Sequence, residues 1–307
     1  MKVHANGIQI EVEDSGQAPG ENRPVVLLVM GLGMQLIAWP DNMVASLIEG
    51  GFRVVRHDNR DMGLSQGFDE RGTGNLLWQG LRYRLGLQVR SAYTVQDMAD
   101  DALGVLDALG IERAHVVGAS MGGMIAQRLA ARAPKRVTSL VSIMSSSGAR
   151  GLPGPRSDVV GLLMRRPPGK DEASLVAHSM RLVKLIAGPV YPPDEAELRA
   201  RLVKALRRAT RPRGLMRQIA AVAADTGRAA VLPRITSPTL VLHGDTDPLV
   251  PVACGRDTAE RIAGARFVEI PGMGHDLTPE LADVLTTHMI PFLLRAGASA
   301  TATNTRA

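Results

Sequence analysis

A serine in a predicted turn is the residue of this 307-residue chain best placed to do chemistry. Ser120 is the centre of Gly-Ala-Ser-Met-Gly at residues 118–122, which matches the pattern G-x-S-x-G. A short β-branched run precedes the motif, and residues 122–133 follow it with apolar side chains at helical spacing. The pattern predicts a strand, a sharp turn and a helix. Glycines two positions before and after the serine favour such a turn, because side chains there would collide with the neighbouring strand or helix.

A serine hydroxyl is a weak nucleophile at neutral pH, so it requires a general base, and the base requires an orienting carboxylate. We sought both at the carboxyl ends of predicted strands, where open sheets carry their functional loops. Among seven histidines, His275 is the best candidate, because it follows the predicted strand 266–270 through a Pro-Gly-Met-Gly loop. His57 and His243 also lie at predicted strand ends and are its rivals. His275 comes last in the chain, in the order Ser…Asp…His that accompanies this turn.

The orienting acid is predicted in the loop His-Gly-Asp-Thr-Asp-Pro at residues 243–248. The loop after the predicted strand 137–144 is the other possible position, and it contains no carboxylate. We favour Asp247, because it lies further from its strand and can reach the loop of His275. Asp245 is expected to fix the turn, as an Asx residue that bonds its own backbone.

Two hydrogen-bond donors are needed for the oxygen of a tetrahedral intermediate. One is predicted to be the backbone N–H of Met121, at the positive end of the helix after the serine. The other is expected from the Gly-Leu-Gly loop at residues 31–33, as the N–H of Leu32. Both donors belong to the backbone, so the identity of these side chains should matter little.

The elements that must position these residues alternate between apolar strands and amphipathic helices. Residues 3–14 are predicted to form one or two antiparallel strands with a turn at Asn6-Gly7. The alternation that follows predicts an α/β fold with right-handed crossovers and one mostly parallel sheet flanked by helices. The predicted strands are 24–30, 52–57, 115–118, 137–144, 239–243 and 266–270, and the predicted helices are 41–49, 94–109, 122–133, 252–263 and 281–295, with a kink at Pro291.

One segment departs from this alternation and is predicted to be an inserted helical cap. Its prolines separate helical pieces at 172–186 and 194–208. Residues 75–90 are predicted to be a short amphipathic helix or a mobile flap. The predicted organisation is a core of residues 1–148 and 230–296, a cap of residues 149–229 and a disordered tail of residues 297–307.

The basic residues are concentrated in the predicted cap. Residues 146–230 contain 16 Lys and Arg against 7 Asp and Glu, whereas the rest of the chain contains 20 against 23. Tyr191 is the sole aromatic residue of this segment, so a nucleic-acid partner is not expected. A solvated helix face is the preferred interpretation of the charge, and attraction of anionic substrates or a membrane surface is the alternative.

Cysteine content and hydropathy restrict the compartment and the partners. The single cysteine, Cys254, excludes an intrachain disulfide and a Cys-based metal site, which favours a reducing, cytoplasmic compartment. The sequence has neither a signal-peptide pattern nor an apolar run of about 18 residues, so no transmembrane segment is expected. No metal and no organic cofactor is expected. A monomer and a homodimer are both compatible with the sequence.

Taken together, these motifs resemble those of the α/β-hydrolase-fold serine hydrolases. Residues 30–40 and 270–275 are most similar to the aclacinomycin methylesterase-like group of carboxylic-ester hydrolases. The resemblance implies that Ser120 is the nucleophile, His275 the base and Asp247 the acid, with Leu32 and Met121 as oxyanion donors. The motifs that carry it are Val-Met-Gly-Leu-Gly at 29–33, Asp-Asn-Arg-Asp-Met-Gly-Leu-Ser at 58–65, the serine turn, His-Gly-Asp-Thr-Asp at 243–247 and Gly-Met-Gly-His at 272–275.

Two departures from the family pattern are visible. Many members have His-Gly before the oxyanion residue, whereas this chain has Met30-Gly31, which removes a hydrogen bond that braces the loop but keeps the donor. The segment 66–92 is also longer, so the substrate of any one relative does not transfer directly to this chain.

The leading hypothesis is a carboxylic-ester hydrolase that acts through an acyl-enzyme on small to medium apolar esters. Methionines near the strand ends would give the pocket an adaptable lining. A C–C bond hydrolase or a cofactor-free perhydrolase would use the same triad, and a ligand receptor on the same fold is the alternative outside the enzymes. Haloalkane dehalogenases and epoxide hydrolases are disfavoured, because they carry aspartate at the position of Ser120.

Overall fold

The computed structural model describes residues 1–18, 21–73, 78, 82, 85 and 87–304, apart from the side chains of 299–304. The described strands form one sheet in the order β1-β2-β4-β3-β5-β6-β7-β8. Strand β2 is antiparallel to β1 and to β4, and the remaining neighbours are parallel. The strands are β1 (Lys2–Ala5), β2 (Ile8–Asp14), β3 (Val25–Val29), β4 (Arg53–His57), β5 (Ala114–Ala119), β6 (Val137–Ile143), β7 (Thr239–Gly244) and β8 (Arg266–Ile270).

Strand burial follows the sequence pattern. All five residues of β3 are buried, as a continuous apolar run covered on both faces requires. Strands β1 and β2 instead alternate buried with exposed residues, so one face of this hairpin is solvated. Asn6 and Gly7 join them with φ values of 48° and 77°, the backbone of a tight hairpin turn. The predicted antiparallel pair and its turn are therefore confirmed.

Helices cover both faces of the sheet and form two apolar cores. Thr94 caps the second helix, because its Oγ1 accepts a hydrogen bond from the N–H of Asp97 at 3.0 Å while the Asp97 carboxylate accepts one from the N–H of Thr94 at 2.7 Å. The helices of the described residues are α1 (Asp41–Glu49), α2 (Val95–Ala108), α3 (Met121–Arg132), α4 (Ser157–Leu163), α5 (Glu172–Ile186), α6 (Glu195–Arg208), α7 (Pro212–Ala224), α8 (Val252–Arg261) and α9 (Pro279–Asn304).

Helices α4 to α7 lie between β6 and β7, within the segment 149–229 that is predicted to be a cap. The predicted helix 172–186 coincides with α5, and the predicted helix 194–208 begins one residue before α6, at the Asp194 that caps it. Val176, Met180 and Leu198 form a small apolar core between α5 and α6. We propose that the chain divides into this cap and a core of residues 1–148 and 230–296.

The end of the chain and one internal segment differ from the predicted elements. Helix α9 contains Pro291 and continues through Asn304, so it extends into the residues predicted to be a disordered tail. Residues 305–307 lie outside the described residues. Most of the predicted helix or flap at 75–90 also lies outside them. Among the described helices, none combines the length and the apolar character that a membrane crossing requires.

Several arginines of the cap form ion pairs with carboxylates of the core. Arg201 bonds both carboxylate oxygens of Asp276, and Arg208 bonds Asp58 at 2.7 Å. Arg217 bonds Asp61 through two contacts of 2.7 Å, with both side chains almost fully buried. The interpretation as a solvated helix face is wrong for these three arginines, because their guanidinium groups neutralise carboxylates beneath the cap.

Candidate active site

Ser120 lies in a strained turn between a buried strand and a helix. Strand β5 is buried throughout, and α3 begins one residue after the serine. The backbone of Ser120 has φ 55° and ψ −119°, a region that non-glycine residues rarely occupy. The flanking glycines make this turn possible. A Cβ on Gly118 would lie 2.2 Å from the carbonyl oxygen of Gly122, and a Cβ on Gly122 would lie 1.9 Å from that of Val29.

The structure brings three of the predicted site residues into one chain of hydrogen bonds. Ser120 Oγ lies 2.9 Å from His275 Nε2. The other ring nitrogen of His275, Nδ1, lies 2.7 Å from Asp247 Oδ2. Because a carboxylate can only accept, Nδ1 carries the proton of a neutral imidazole and Nε2 is free to accept the proton of the serine.

The carboxylate of Asp247 is buried and well supplied with donors. Its Oδ1 accepts the backbone N–H groups of Leu249 and Val250 at 2.9 and 2.8 Å. Burial alone would raise its pKa, but the charge of a protonated His275 and hydrogen bonds from His243, His275 and the backbone together hold the pKa of Asp247 well below its usual range. Asp247 therefore remains an anion beside the imidazole across the physiological pH range.

The rival candidates occupy other positions. His243 Nε2 donates to the carbonyl of Val250 at 2.7 Å, so this ring supports the loop that carries Asp247. His57 is buried, and burial lowers its pKa to about 4. The expected bond from Asp245 to its own turn is not formed among the described residues. Asp245 accepts the N–H of Gly272 at 2.6 Å and so ties the acid loop to the histidine loop. Across the described residues, no cluster of three or more His, Cys, Asp or Glu is arranged to hold a metal ion.

The two predicted oxyanion donors flank the serine. Met121 is the first residue of α3, where the N–H groups have no acceptor within the helix. The loop of Leu32 approaches from the end of β3, and a Cβ on Gly31 would lie 3.2 Å from the Cβ of Ser120. Within the described part of the chain, the N–H of Leu32 donates no backbone or side-chain hydrogen bond. Both N–H groups are available to a ligand oxygen.

Three side chains without a predicted role brace the oxyanion loop. Asn59 Nδ2 donates to the carbonyl of Met30 at 2.8 Å. Gln218 Oε1 accepts the N–H of Gly33 at 3.0 Å, and Asp58 Oδ1 accepts the N–H of Leu36 at 2.7 Å. These three contacts hold backbone groups of the loop on either side of Leu32. The motif at 58–65 was a usable signal for Asp58 and Asn59, whereas Gln218 had none.

A strand–serine–helix turn on a mostly parallel α/β sheet, with the serine bonded to a histidine and the histidine to an aspartate, defines a class of hydrolases. The chain belongs to that family, because a family model described as the alpha/beta hydrolase fold matches residues 24–280. The predicted fold class is therefore confirmed.

Curated relatives and solved structures extend this assignment. The chain is 32% identical over 272 residues to rhodomycin D methylesterase DauP of Streptomyces sp. (strain C5), covering 82% of this chain and 85% of that protein. It is 30% identical over 271 residues to rhodomycin D methylesterase DnrP of Streptomyces peucetius, with the same coverage. The crystal structure of the enol-lactonase from Burkholderia xenovorans LB400 superimposes with a TM-score of 0.72 at 25% identity, covering 96% of this chain and 100% of that one. The predicted resemblance to methylesterase-like hydrolases is confirmed.

Proposed function

We propose that this protein is a cytoplasmic serine carboxylic-ester hydrolase that acts through an acyl-enzyme on Ser120. The observation that carries the proposal is the continuous chain from Ser120 Oγ through His275 to Asp247, with contacts of 2.9 and 2.7 Å. The 2.9 Å contact is within the range in which a nucleophile passes its proton to a base, and the 2.7 Å contact is that of a carboxylate that orients the base. No other serine among the described residues has this pair of partners.

Acylation begins when Ser120 Oγ attacks the ester carbonyl carbon while its proton moves to His275 Nε2. The carbonyl oxygen becomes an anion and accepts the N–H groups of Leu32 and Met121. His275 then gives its proton to the alkoxide as the C–O bond breaks, so the alcohol leaves neutral. Asp247 keeps the ring in the tautomer that can accept at Nε2 and stabilises the transient imidazolium.

Deacylation repeats these steps with water in place of the alcohol. His275 Nε2 takes a proton from the water as its oxygen attacks the acyl carbon, and the two N–H donors again hold the oxyanion. The proton then passes from His275 to Ser120 Oγ, which leaves as a neutral hydroxyl. The products are the free acid and the original enzyme, with every proton returned.

The names of the relatives and the apolar residues near the site support a proposal for the substrate class. Two relatives carry the name methylesterase, and the enol-lactonase acts, by its name, on a cyclic ester. Met30 and Met144, near the ends of β3 and β6, belong to the apolar core beneath the site. We propose small to medium apolar esters as substrates. A C–C bond hydrolase or a perhydrolase would require the same triad, so a substrate panel is the test that separates these activities.

Labelling with a fluorophosphonate, followed by peptide mapping, tests the nucleophile. We expect the label on Ser120 and hydrolysis of p-nitrophenyl acetate or butyrate by the wild-type protein. Ser120→Ala should lose both the label and the activity. Undetectable hydrolysis by the wild type, or unchanged hydrolysis by Ser120→Ala, would refute the proposed function.

A further inference from the structure

A buried glutamine of the cap holds the oxyanion loop. Gln218 lies on α7 and is fully buried. Its Oε1 accepts the N–H of Gly33 at 3.0 Å, and its Nε2 donates to the carbonyl of Arg60 at 3.0 Å. Each end of the amide meets a backbone group of the opposite type, so its orientation is fixed. One cap side chain therefore spans from the loop after β4 to the loop after β3.

The bond from Gln218 acts on the backbone beside the proposed donor. The peptide before Leu32 is held at the carbonyl of Gly31, which accepts the N–H of Met34 at 3.2 Å. The peptide after Leu32 is held at the N–H of Gly33, through Gln218. The two peptides on either side of Leu32 are thus fixed, and the direction of its N–H is fixed with them.

Helix α7 sits tightly on the core at this point. Gly214 allows the approach, because a Cβ there would lie 2.2 Å from the carbonyl oxygen of Asp61. One turn further along the helix, Arg217 bonds the carboxylate of Asp61 through two contacts of 2.7 Å. Leu215 lies against the oxyanion loop, with its Cδ1 2.9 Å from the position of a Cβ on Gly33. The position of Gln218 relative to the oxyanion loop therefore depends on how α7 packs against the core.

Residues at the end of α6 form hydrogen bonds to the same loop at a second point. Gln35 Nε2 donates to the carbonyls of Ala205 and Ala209 at 2.7 and 3.1 Å. Arg208 donates to Gln35 Oε1 and to Asp58 Oδ2, both at 2.7 Å. Two cap helices thus hold the loop on both sides of Met34, at Gly33 through α7 and at Gln35 through α6.

We propose that Gln218 is a positioning residue of the oxyanion hole, through which docking of the cap contributes to the rate of ester hydrolysis. The proposal rests on the proposed function. Oxyanion donors accelerate a reaction because they are already oriented when charge develops, so a loop that turns away loses transition-state stabilisation but little ground-state binding. Loss of the Gln218 brace should therefore reduce kcat more than it changes KM.

Gln218→Met tests this inference, because methionine has a similar length and lacks both hydrogen bonds. We expect kcat per active site, titrated with fluorophosphonate, to fall about 10- to 100-fold, with KM within about threefold of wild type. Inhibition by a tetrahedral-adduct former, a trifluoromethyl ketone, should weaken by a similar factor. Gln218→Asn, which is one methylene too short to span both partners, provides the same test if the methionine variant does not fold.

Gln127→Met is the matched control. Gln127 is also fully buried, lies on α3, donates to Ser142 Oγ and accepts from Arg228, and among the described residues its side chain has no hydrogen bond to the oxyanion loop. We expect its Tm to fall while its kcat per active site stays at the wild-type value. An equal loss of kcat in both variants, or an unchanged kcat in Gln218→Met and Gln218→Asn, would overturn the inference. Absence of label and activity in the wild type would instead refute the proposed function.

Discussion

The backbone of Ser120 is held in a conformation that costs free energy. At φ 55° and ψ −119°, any side chain with a Cβ is strained, whereas glycine is not. We therefore expect Ser120→Gly to be more stable than Ser120→Ala by about 1 kcal/mol, although both are inactive. Urea denaturation of the two variants measures this difference.

Ser46 provides the control for this comparison. It lies inside α1, where glycine is less favourable than alanine by about 1 kcal/mol. Ser46→Gly should therefore be less stable than Ser46→Ala, the opposite order to that at Ser120. If glycine were the less stable replacement at both positions, the turn of Ser120 would not be strained.

Asp247 is expected to act through the orientation of His275. Asp247→Asn keeps the shape of the side chain but can favour the wrong tautomer of the ring, so kcat should fall by about 10³- to 10⁴-fold. The neighbouring Asp245→Asn retains an oxygen for the N–H of Gly272 and should keep most of the activity. Steady-state kinetics with a p-nitrophenyl ester compares the two. Comparable losses of kcat in both variants would contradict the special role proposed for Asp247.

At the scale of elements, a buried ion pair is one of the contacts that attach α7 to the core. Arg217 and Asp61 have side-chain exposures of 1% and 0%. Arg217→Met would leave the Asp61 carboxylate buried without its partner, which costs about 3–5 kcal/mol in such pairs. We expect a large fall in the free energy of unfolding, measured by urea denaturation.

Arg207→Met is the matched control for that prediction. Arg207 bonds Glu172 within the cap through two contacts of 2.8 Å, but both side chains are exposed to solvent. Exposed pairs contribute little to stability, so the transition of this variant should stay close to that of wild type. A similar loss in the two arginine variants would contradict the anchoring role of Arg217.

Local patterns predicted most of the elements. The predicted helix 41–49 coincides with α1, because a pair of glycines follows its last turn. The serine turn followed from the G-x-S-x-G pattern, and the choice of His275 and Asp247 followed from the need for a base and an acid at strand ends and from the chain order Ser…Asp…His. Helix α9 begins at Pro279, two residues before the predicted start at 281, because proline is favoured in the first turn of a helix.

The contacts between cap and core were not predictable in the same way. The side chains of Arg208 and Asp58 meet across 150 positions, and the side chain of Gln218 meets the backbone N–H of Gly33 across 185. Neither pair has a local periodicity, so composition could show only that the cap is basic and not where its charges point. The motif at 58–65 was recognised as a family signature, yet its role as the surface on which the cap docks required the folded chain.

At the scale of the whole molecule, two buried histidines predict sensitivity to acid. Burial lowers the pKa of His57 and of His115 to about 4, whereas an unfolded histidine titrates near 6.5. Between these values the unfolded state binds more protons, so the free energy of unfolding decreases as the pH falls from about 6.5 to 4. Each histidine should contribute about 2 kcal/mol of this loss between pH 7 and pH 5.

Urea denaturation at a series of pH values measures this effect, and His57→Met isolates one of its sources. Both ring nitrogens of His57 lack a well-formed hydrogen bond within the described residues, and the contact with Asn59 favours the protonated ring, so methionine removes a proton-binding site. The variant should lose about half of the pH dependence attributed to the pair. A slope equal to that of wild type would show that His57 does not titrate as expected.

The contacts of α6 and α7 with the loop of Leu32 also affect whether a cap can be exchanged between related enzymes. An insertion between β6 and β7 looks like an exchangeable module, which could be transplanted between relatives to transfer selectivity. In this chain, however, residues of the cap hold the loop of the proposed oxyanion donor Leu32. Replacing the cap should therefore change the turnover rate as well as the substrate preference. We expect a chimaera with the cap of a relative to have a reduced kcat unless that cap has a glutamine at the position of Gln218. Introducing the glutamine should restore kcat, while the substrate preference remains that of the relative.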